Sequence, residues 1–164
     1  ALLIEDNAQK KTLNSNALQT DCICQLQSDI DDCSGELLGY TLERLLAAGA
    51  LDAHYQPVFM KKSRPAWELT VICREEDRAK LEALIFAETT TIGIRRARME
   101  RTVLPRRRDV VHTAYGDVAV KRCLLENGER CYVEYDSAAK LAQEQGVPLQ
   151  DIYLAAQLTQ KNIN

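Results

Sequence analysis

An α+β fold is what this 164-residue sequence predicts. Three observations predict it: short runs in which apolar residues recur with a period of two, longer runs with an apolar face at helical spacing, and the order in which the two kinds follow one another. With 46% hydrophobic and 27% charged residues, the chain has the material for one full domain and a small appendage.

Residues 1–20 are polar and weakly periodic and open at Ala1 rather than at a methionine. They are expected to be a linker or disordered remnant that joined an excised fragment to something upstream. From Cys22, the residues Cys22, Cys24, Leu26 and Ser28 alternate with Ile23, Gln25, Gln27 and Asp29 as a strand does. Ser34-Gly35-Glu36 then opens a helix in which Leu38, Leu42, Leu45 and Leu46 share a face and which Gly49 is placed to stop. Leu51, Ala53, Tyr55 and Phe59 alternate along a second strand that ends in the charged turn Lys61-Lys62-Ser63-Arg64-Pro65. Trp67, Leu69, Val71 and Cys73 supply a third strand, antiparallel to the second across that turn. Glu75 and Glu76 suit the first turn of a second helix through the helix dipole, and Leu81, Leu84 and Ile85 form its buried stripe before Thr89. Ile92 to Val103 completes the set as a long fourth strand. Strand, helix, strand, strand, helix, strand over residues 21–104 is the ferredoxin-like split arrangement, an antiparallel sheet with both helices on one face.

Residues 105–164 predict a smaller α+β subdomain. Val110–Ala114 and Val118–Cys123 are joined through Tyr115-Gly116-Asp117, and a further strand surrounds Cys131. A helix from Ser137 stops at Gly146, and the last helix starts near Pro148 and runs to about Gln160.

Composition also excludes. A chain of this size buries roughly 70% of its unfolded surface and needs no staples. The six cysteines contain no CxxC pair and fall largely among strand residues, so they read as reduced packing residues of a cytoplasmic protein. No apolar run of eighteen residues predicts a membrane span. A net charge of -3 argues against a nucleic-acid partner, and the fourth strand lacks the paired aromatics that base stacking needs. The charge is unevenly placed all the same, since seven arginines fall between Arg95 and Arg108.

Three segments carry candidate chemistry. Asp29-Ile30-Asp31-Asp32 ends a strand, where carboxylates project from a fixed backbone as hard donors for Mg2+ or Mn2+; the same aspartates also read as helix caps. Lys61, Lys62 and Arg64 on a hairpin turn combine point charges with a guanidinium fork, the means to hold a triphosphate, or simply charge a surface turn. Thr89-Thr90-Thr91 is poor helix interior and leaves hydroxyl and N–H groups free for an anion or a metal, with Gly93 permitting close approach; it also reads as a helix end entering a strand. On the fourth strand, alternation sends Arg96, Arg98 and Glu100 to one face and Arg95, Met99 and Arg101 to the other. The two histidines, His54 and His112, are too isolated to make a metal cluster. No P-loop, nucleophile elbow, dinucleotide-binding glycine run or HExxH helix is present.

Taken in order, Ser28-Asp29-Ile30-Asp31-Asp32, Gly49-Ala50-Leu51-Asp52, Met60-Lys61-Lys62-Ser63-Arg64-Pro65, Glu88 through Gly93, and Glu100-Arg101 with Leu104-Pro105-Arg106 resemble the nickel-insertion family of lactate racemase cofactor biosynthesis (LarC, DUF111), over about residues 22–156. The resemblance implies the C-terminal domain of a cyclometallase of lyase class. Such an enzyme places Ni2+ in a pyridinium bisthiocarboxylate mononucleotide with consumption of CTP, assisted by Mn2+ or Mg2+. It also implies a homo-oligomer, trimer or hexamer, and a partner N-terminal domain absent from this chain. On that basis Lys61, Lys62, Arg64, Thr89, Thr90, Thr91 and Arg95 are expected at the nucleotide, and Asp31 and Asp32 at the metal. Departures from the family pattern are Asp29 for Asn, Cys33 for Met, Gly35 for Pro, Ala66 for Gly, and Val133-Glu134-Tyr135-Asp136-Ser137-Ala138 for Pro-Glu-Tyr-Glu-Asp-Cys. The competing function is a non-enzymatic ferredoxin-like module for ligand binding or oligomer assembly.

Overall fold

The computed structural model of the chain describes residues 18–125 and 128–161, so most of the expected 1–20 linker lies outside the described residues. The described chain is mixed α and β with two antiparallel sheets and divides into two compact units, residues 20–102 and a second unit from Val103 onward.

In the first unit, β1 (Gln19–Ile30), α1 (Gly35–Ala47), β2 (Asp52–Met60), β3 (Arg64–Cys73), α2 (Arg78–Glu88) and β4 (Arg95–Val103) follow in that order. The sheet order is β2-β3-β1-β4, with β1 and β2 each antiparallel to β3. Strand β1 takes in Gln19 and Thr20, which the sequence assigns to the linker. Alternation sets the core: Cys24, Leu26 and Ile30 of β1 lie opposite Cys73, Val71 and Trp67 of β3. Leu38 and Leu45 of α1 and Leu81 and Ile85 of α2 complete a single cluster with them. Fully burying one such aliphatic side chain contributes roughly 1.5–3 kcal/mol.

Local chemistry sets the helix ends. Ser34 caps α1 by accepting the Leu37 N–H at 3.3 Å, and Gly49, at φ 106°, turns the chain past its end in a conformation that disfavours side chains. Glu75–Asp77 forms a 3-10 turn, so the second helix starts later than its acidic residues predict, with Arg78 bridging Glu75 and Glu82. Thr89 ends it by donating its hydroxyl back to the Ile85 carbonyl at 2.7 Å.

Two further expected boundaries in this unit are corrected. The charged turn is Lys61–Ser63 alone, because Arg64 and Pro65 already pair with Met60 and Phe59. Pro65 is tolerated there since β1 pairs with β3 only from Trp67 onward. The fourth strand begins at Arg95, not Ile92: Thr91 donates its hydroxyl to the Gly93 carbonyl at 3.0 Å, a local turn that replaces ladder pairing.

The second unit holds β5 (Arg106–Thr113), β6 (Gly116–Leu125) and β7 (Gly128–Val133) in an antiparallel meander, then α3 (Tyr135–Gln145) and α4 (Leu149–Lys161). Helix α3 starts two residues before the expected Ser137, whose hydroxyl instead accepts the Ala119 N–H of β6 at 2.9 Å. Its stop is the left-handed Gly146, as expected. Val118, Ala138, Leu141, Ala142 and Ile152 form one buried cluster and Val111, Val120 and Ala156 another, so both helices cover one sheet face.

All six cysteines are free thiols, and Cys24 and Cys73 face each other as cross-strand core residues. Burial pushes the Cys73 thiol up to about 11, which keeps it protonated and unreactive. No helix among the described residues is long and apolar enough to cross a membrane.

Candidate functional site

At the end of β1 the strand leaves the sheet while the α2–β4 loop passes beside it. Between them lies a cleft of about 410 Å³ lined by Asp29, Ile30, Asp31, Asp32, Met60, Thr90, Thr91, Ile92, Gly93 and Arg95. Five of the nine residues expected at nucleotide and metal therefore share one surface: Asp31, Asp32, Thr90, Thr91 and Arg95. The approach of the loop is fixed by Ser28, a buried residue on the core face of β1 whose hydroxyl donates to the Gly93 carbonyl at 3.0 Å.

Each aspartate has a partner of its own. Asp32 accepts the Thr90 hydroxyl, a contact spanning 58 residues of sequence. Asp31 accepts Arg64 Nη1 at 3.1 Å, which ties the hairpin turn to the acidic strand end. Asp29 receives both arms of Arg95, at 2.6 and 2.8 Å, and Arg95 also reaches Glu68 at 3.2 Å. The Arg95 hydrogen bond holds the Asp29 carboxyl below the usual carboxylate range, against the opposing effect of partial burial, and Asp29 in turn raises Arg95. Both stay ionised at neutral pH.

The remaining expected residues lie beside the cleft rather than in its wall. Thr89 spends its hydroxyl on the end of α2. Lys61 and Lys62 are exposed on the turn that follows Met60. That turn places Lys62 and Ser63 at φ 63° and 55°, left-handed values that cost a residue with a side chain about 1–2 kcal/mol each. Such a bend holds its basic residues at the hairpin tip, and strain of this kind recurs at ligand-binding turns.

Ser28, Ile30, Met60, Glu68 and Ile92 belong to the site without having been expected there. Glu68 sits opposite Asp29 in the ladder, a placement no sequence spacing reveals. Ile92 is wholly exposed at the cleft, an apolar position that only the folded chain reveals.

Residues 4–153 match the family model described as nickel insertion protein. A pyridinium-3,5-bisthiocarboxylic acid mononucleotide nickel insertion protein of Alkaliphilus metalliredigens is 43% identical over 159 residues, covering 93% of this chain and 38% of the relative. Its counterpart in Lactiplantibacillus plantarum is 40% identical over 150 residues, covering 90% and 36%. The chain thus spans less than two fifths of the length of these relatives. Among solved structures, it is similar to LarC2, the C-terminal domain of a cyclometallase involved in the synthesis of the NPN cofactor of lactate racemase. That match has a TM-score of 0.80 and 40% identity over 87% of this chain and 99% of the other. Protein MK0293 of Methanopyrus kandleri shares the fold, with a TM-score of 0.62 at 24% identity over 89% and 92%.

Proposed function

The chain belongs to the nickel insertion protein family, and on that premise we propose that it is the CTP- and divalent-metal-binding C-terminal domain of a nickel-inserting cyclometallase. The whole protein would insert Ni2+, as substrate, into a pyridinium bisthiocarboxylate mononucleotide with consumption of CTP, a lyase-class reaction completed with its N-terminal domain. The strand order β2-β3-β1-β4 supports reading the first unit as a ferredoxin-like sheet.

One observation carries the nucleotide reading. A single cleft joins three aspartates, of which Asp29 is closed on Arg95, and two threonine hydroxyls, and a cationic hairpin turn beside it reaches Asp31 through Arg64. Among the described residues no group of three His, Cys, Asp or Glu is placed to cage an ion. Hard oxygen donors in so small a number fit Mg2+ or Mn2+, which are commonly held by one or two carboxylates with substrate phosphates completing the shell. Asp31 and Asp32 would hold the ion, with Thr90 orienting Asp32. Once bound, it would neutralise charge on the phosphates. Lys61, Lys62 and Arg64 would grip the triphosphate from the turn, Arg64 exchanging its Asp31 contact for a phosphate. Arg95, closed on Asp29 and Glu68, would position the strand end rather than bind directly.

That closure also favours a second reading, a non-enzymatic ferredoxin-like module for ligand binding or oligomer assembly; on either reading the chain is a homo-oligomer, trimer or hexamer. Thermal shift decides between them, because a ligand that binds only the folded state raises apparent stability by mass action. With Mn2+ or Mg2+ present, CTP should raise the melting temperature more than ATP does, and Lys61→Ala with Lys62→Ala should abolish the shift. Equal shifts with ATP and CTP, or none, would favour the assembly module, whose oligomer light scattering measures.

A further inference from the structure

The arginine run continues into β5 as Arg106-Arg107-Arg108, where the period of two sorts it between the faces of the second unit's sheet. On the face covered by the helices, every arginine is neutralised. Arg107 meets Glu129 at 3.1 Å, and Arg122 pairs with Asp109 and lies 3.7 Å from Glu129.

The outer face differs. Two neighbouring rows of the ladder read Arg106, Cys123, Arg130 and Arg108, Lys121, Tyr132. Lys121 pairs with Glu134 at 2.9 Å. Among the described residues no carboxylate pairs with Arg106, Arg108 or Arg130, and all three are exposed. Tyr132 is half exposed beside them, as is Val110 in the next row. Four cations, against Glu134 and the Asp136 that lines a shallow hollow with Arg108, form a positive patch on a chain whose net charge is -3.

We propose that this outer face is a docking surface for an acidic protein segment in extended conformation, with carboxylates at alternate positions. Spacing matches: Arg106 and Arg108 stand two strand residues apart, about 6.8 Å, the distance between alternate side chains of an extended segment. Guanidinium forks suit carboxylates, and arginine and tyrosine are the residue types that anchor protein interfaces. A nucleic acid fits less well. Tyr132 is the one aromatic in the two rows, whereas stacking along a strand needs a succession of them.

Fluorescence anisotropy tests this with the full 164-residue chain, a labelled decapeptide alternating Glu and Thr, and a labelled decauridylate. The peptide should bind and weaken as salt rises. Binding should fall by about tenfold or more in R106S/R108S/R130S, as expected when several charged contacts are lost together. As a control for folding, R106E/R108E/R130E should gain binding to the matching Lys–Thr peptide, which a misfolded chain does not do. Tighter binding of decauridylate than of the acidic peptide overturns the proposal in favour of nucleic acid. Absence of peptide binding, or unchanged binding by the triple serine variant, overturns it outright.

Discussion

Arg95 closes both guanidinium arms on Asp29, at 2.6 and 2.8 Å, across 66 residues of sequence. Two charges are thereby cancelled at the wall of the cleft that the metal and nucleotide would share. Replacing Asp29 with Asn should remove one negative charge from the cleft wall while Arg95 keeps its contact with Glu68. Calorimetry with CTP and Mn2+ should then report tighter binding, by about fivefold for roughly 1 kcal/mol of charge interaction. Weaker binding would show that Asp29 itself serves the ligand.

The same pair has a pH signature. Because the folded carboxyl lies below its ordinary value of about 3.9, its contribution to stability is present above that value and is lost as pH falls through the lower folded one. Acid titration of stability should therefore be shallower in the Asn variant below pH 4. Identical acid limbs would mean that the pair contributes nothing.

Thr90→Val keeps shape and removes the hydroxyl that orients Asp32. Metal-dependent binding of CTP should weaken by about three- to tenfold, the effect of roughly one hydrogen bond, with little change in melting temperature. A variant that binds as the parent does would dissociate Asp32 from the metal.

Ser28→Ala breaks the buried contact to the Gly93 carbonyl and should cost about 1 kcal/mol of stability. For a domain of this size that is a fall of roughly 4–8 °C in the melting temperature of the first unit. Hydrogen exchange should rise in the 89–94 loop. Protection unchanged there would show that the loop is held by other contacts.

On the second unit, His112 meets Asp117 at 2.6 Å across the β5–β6 hairpin, and that hydrogen bond raises the imidazole above its ordinary value. The pair's contribution is complete below about 6.5 and fades as pH rises through the higher folded value. Asp117→Asn should flatten this slope between neutral and mildly alkaline pH, read from denaturation midpoints. A slope that persists would assign it to another group.

The core was legible where a period carried it. Cys24, Leu26, Leu38, Leu45, Leu81 and Ile85 are buried at the positions their spacing predicts. Phe59 was not, since it is 80% exposed although it continues the alternation of Ala53 and Tyr55. Periodicity names a face but not how far the helices cover it. Likewise the threonine run could be read as a helix end, as Thr89 is, while the turn made by Thr91 delays β4 to Arg95.

By itself the sequence determined the order of elements, the apolar faces, the family and the residue types able to meet an anion or a metal, because these depend on neighbours a few residues apart or on an ordered set of motifs. Only tertiary structure decided which of those residues meet. Strand pairing set Glu68 opposite Asp29 and drew Arg95 onto both. Loop closure set Thr90 on Asp32 while leaving Lys61 and Lys62 at the rim. A side chain's charge is fixed by its identity, but whether it is free to bind depends on partners brought from distant parts of the chain.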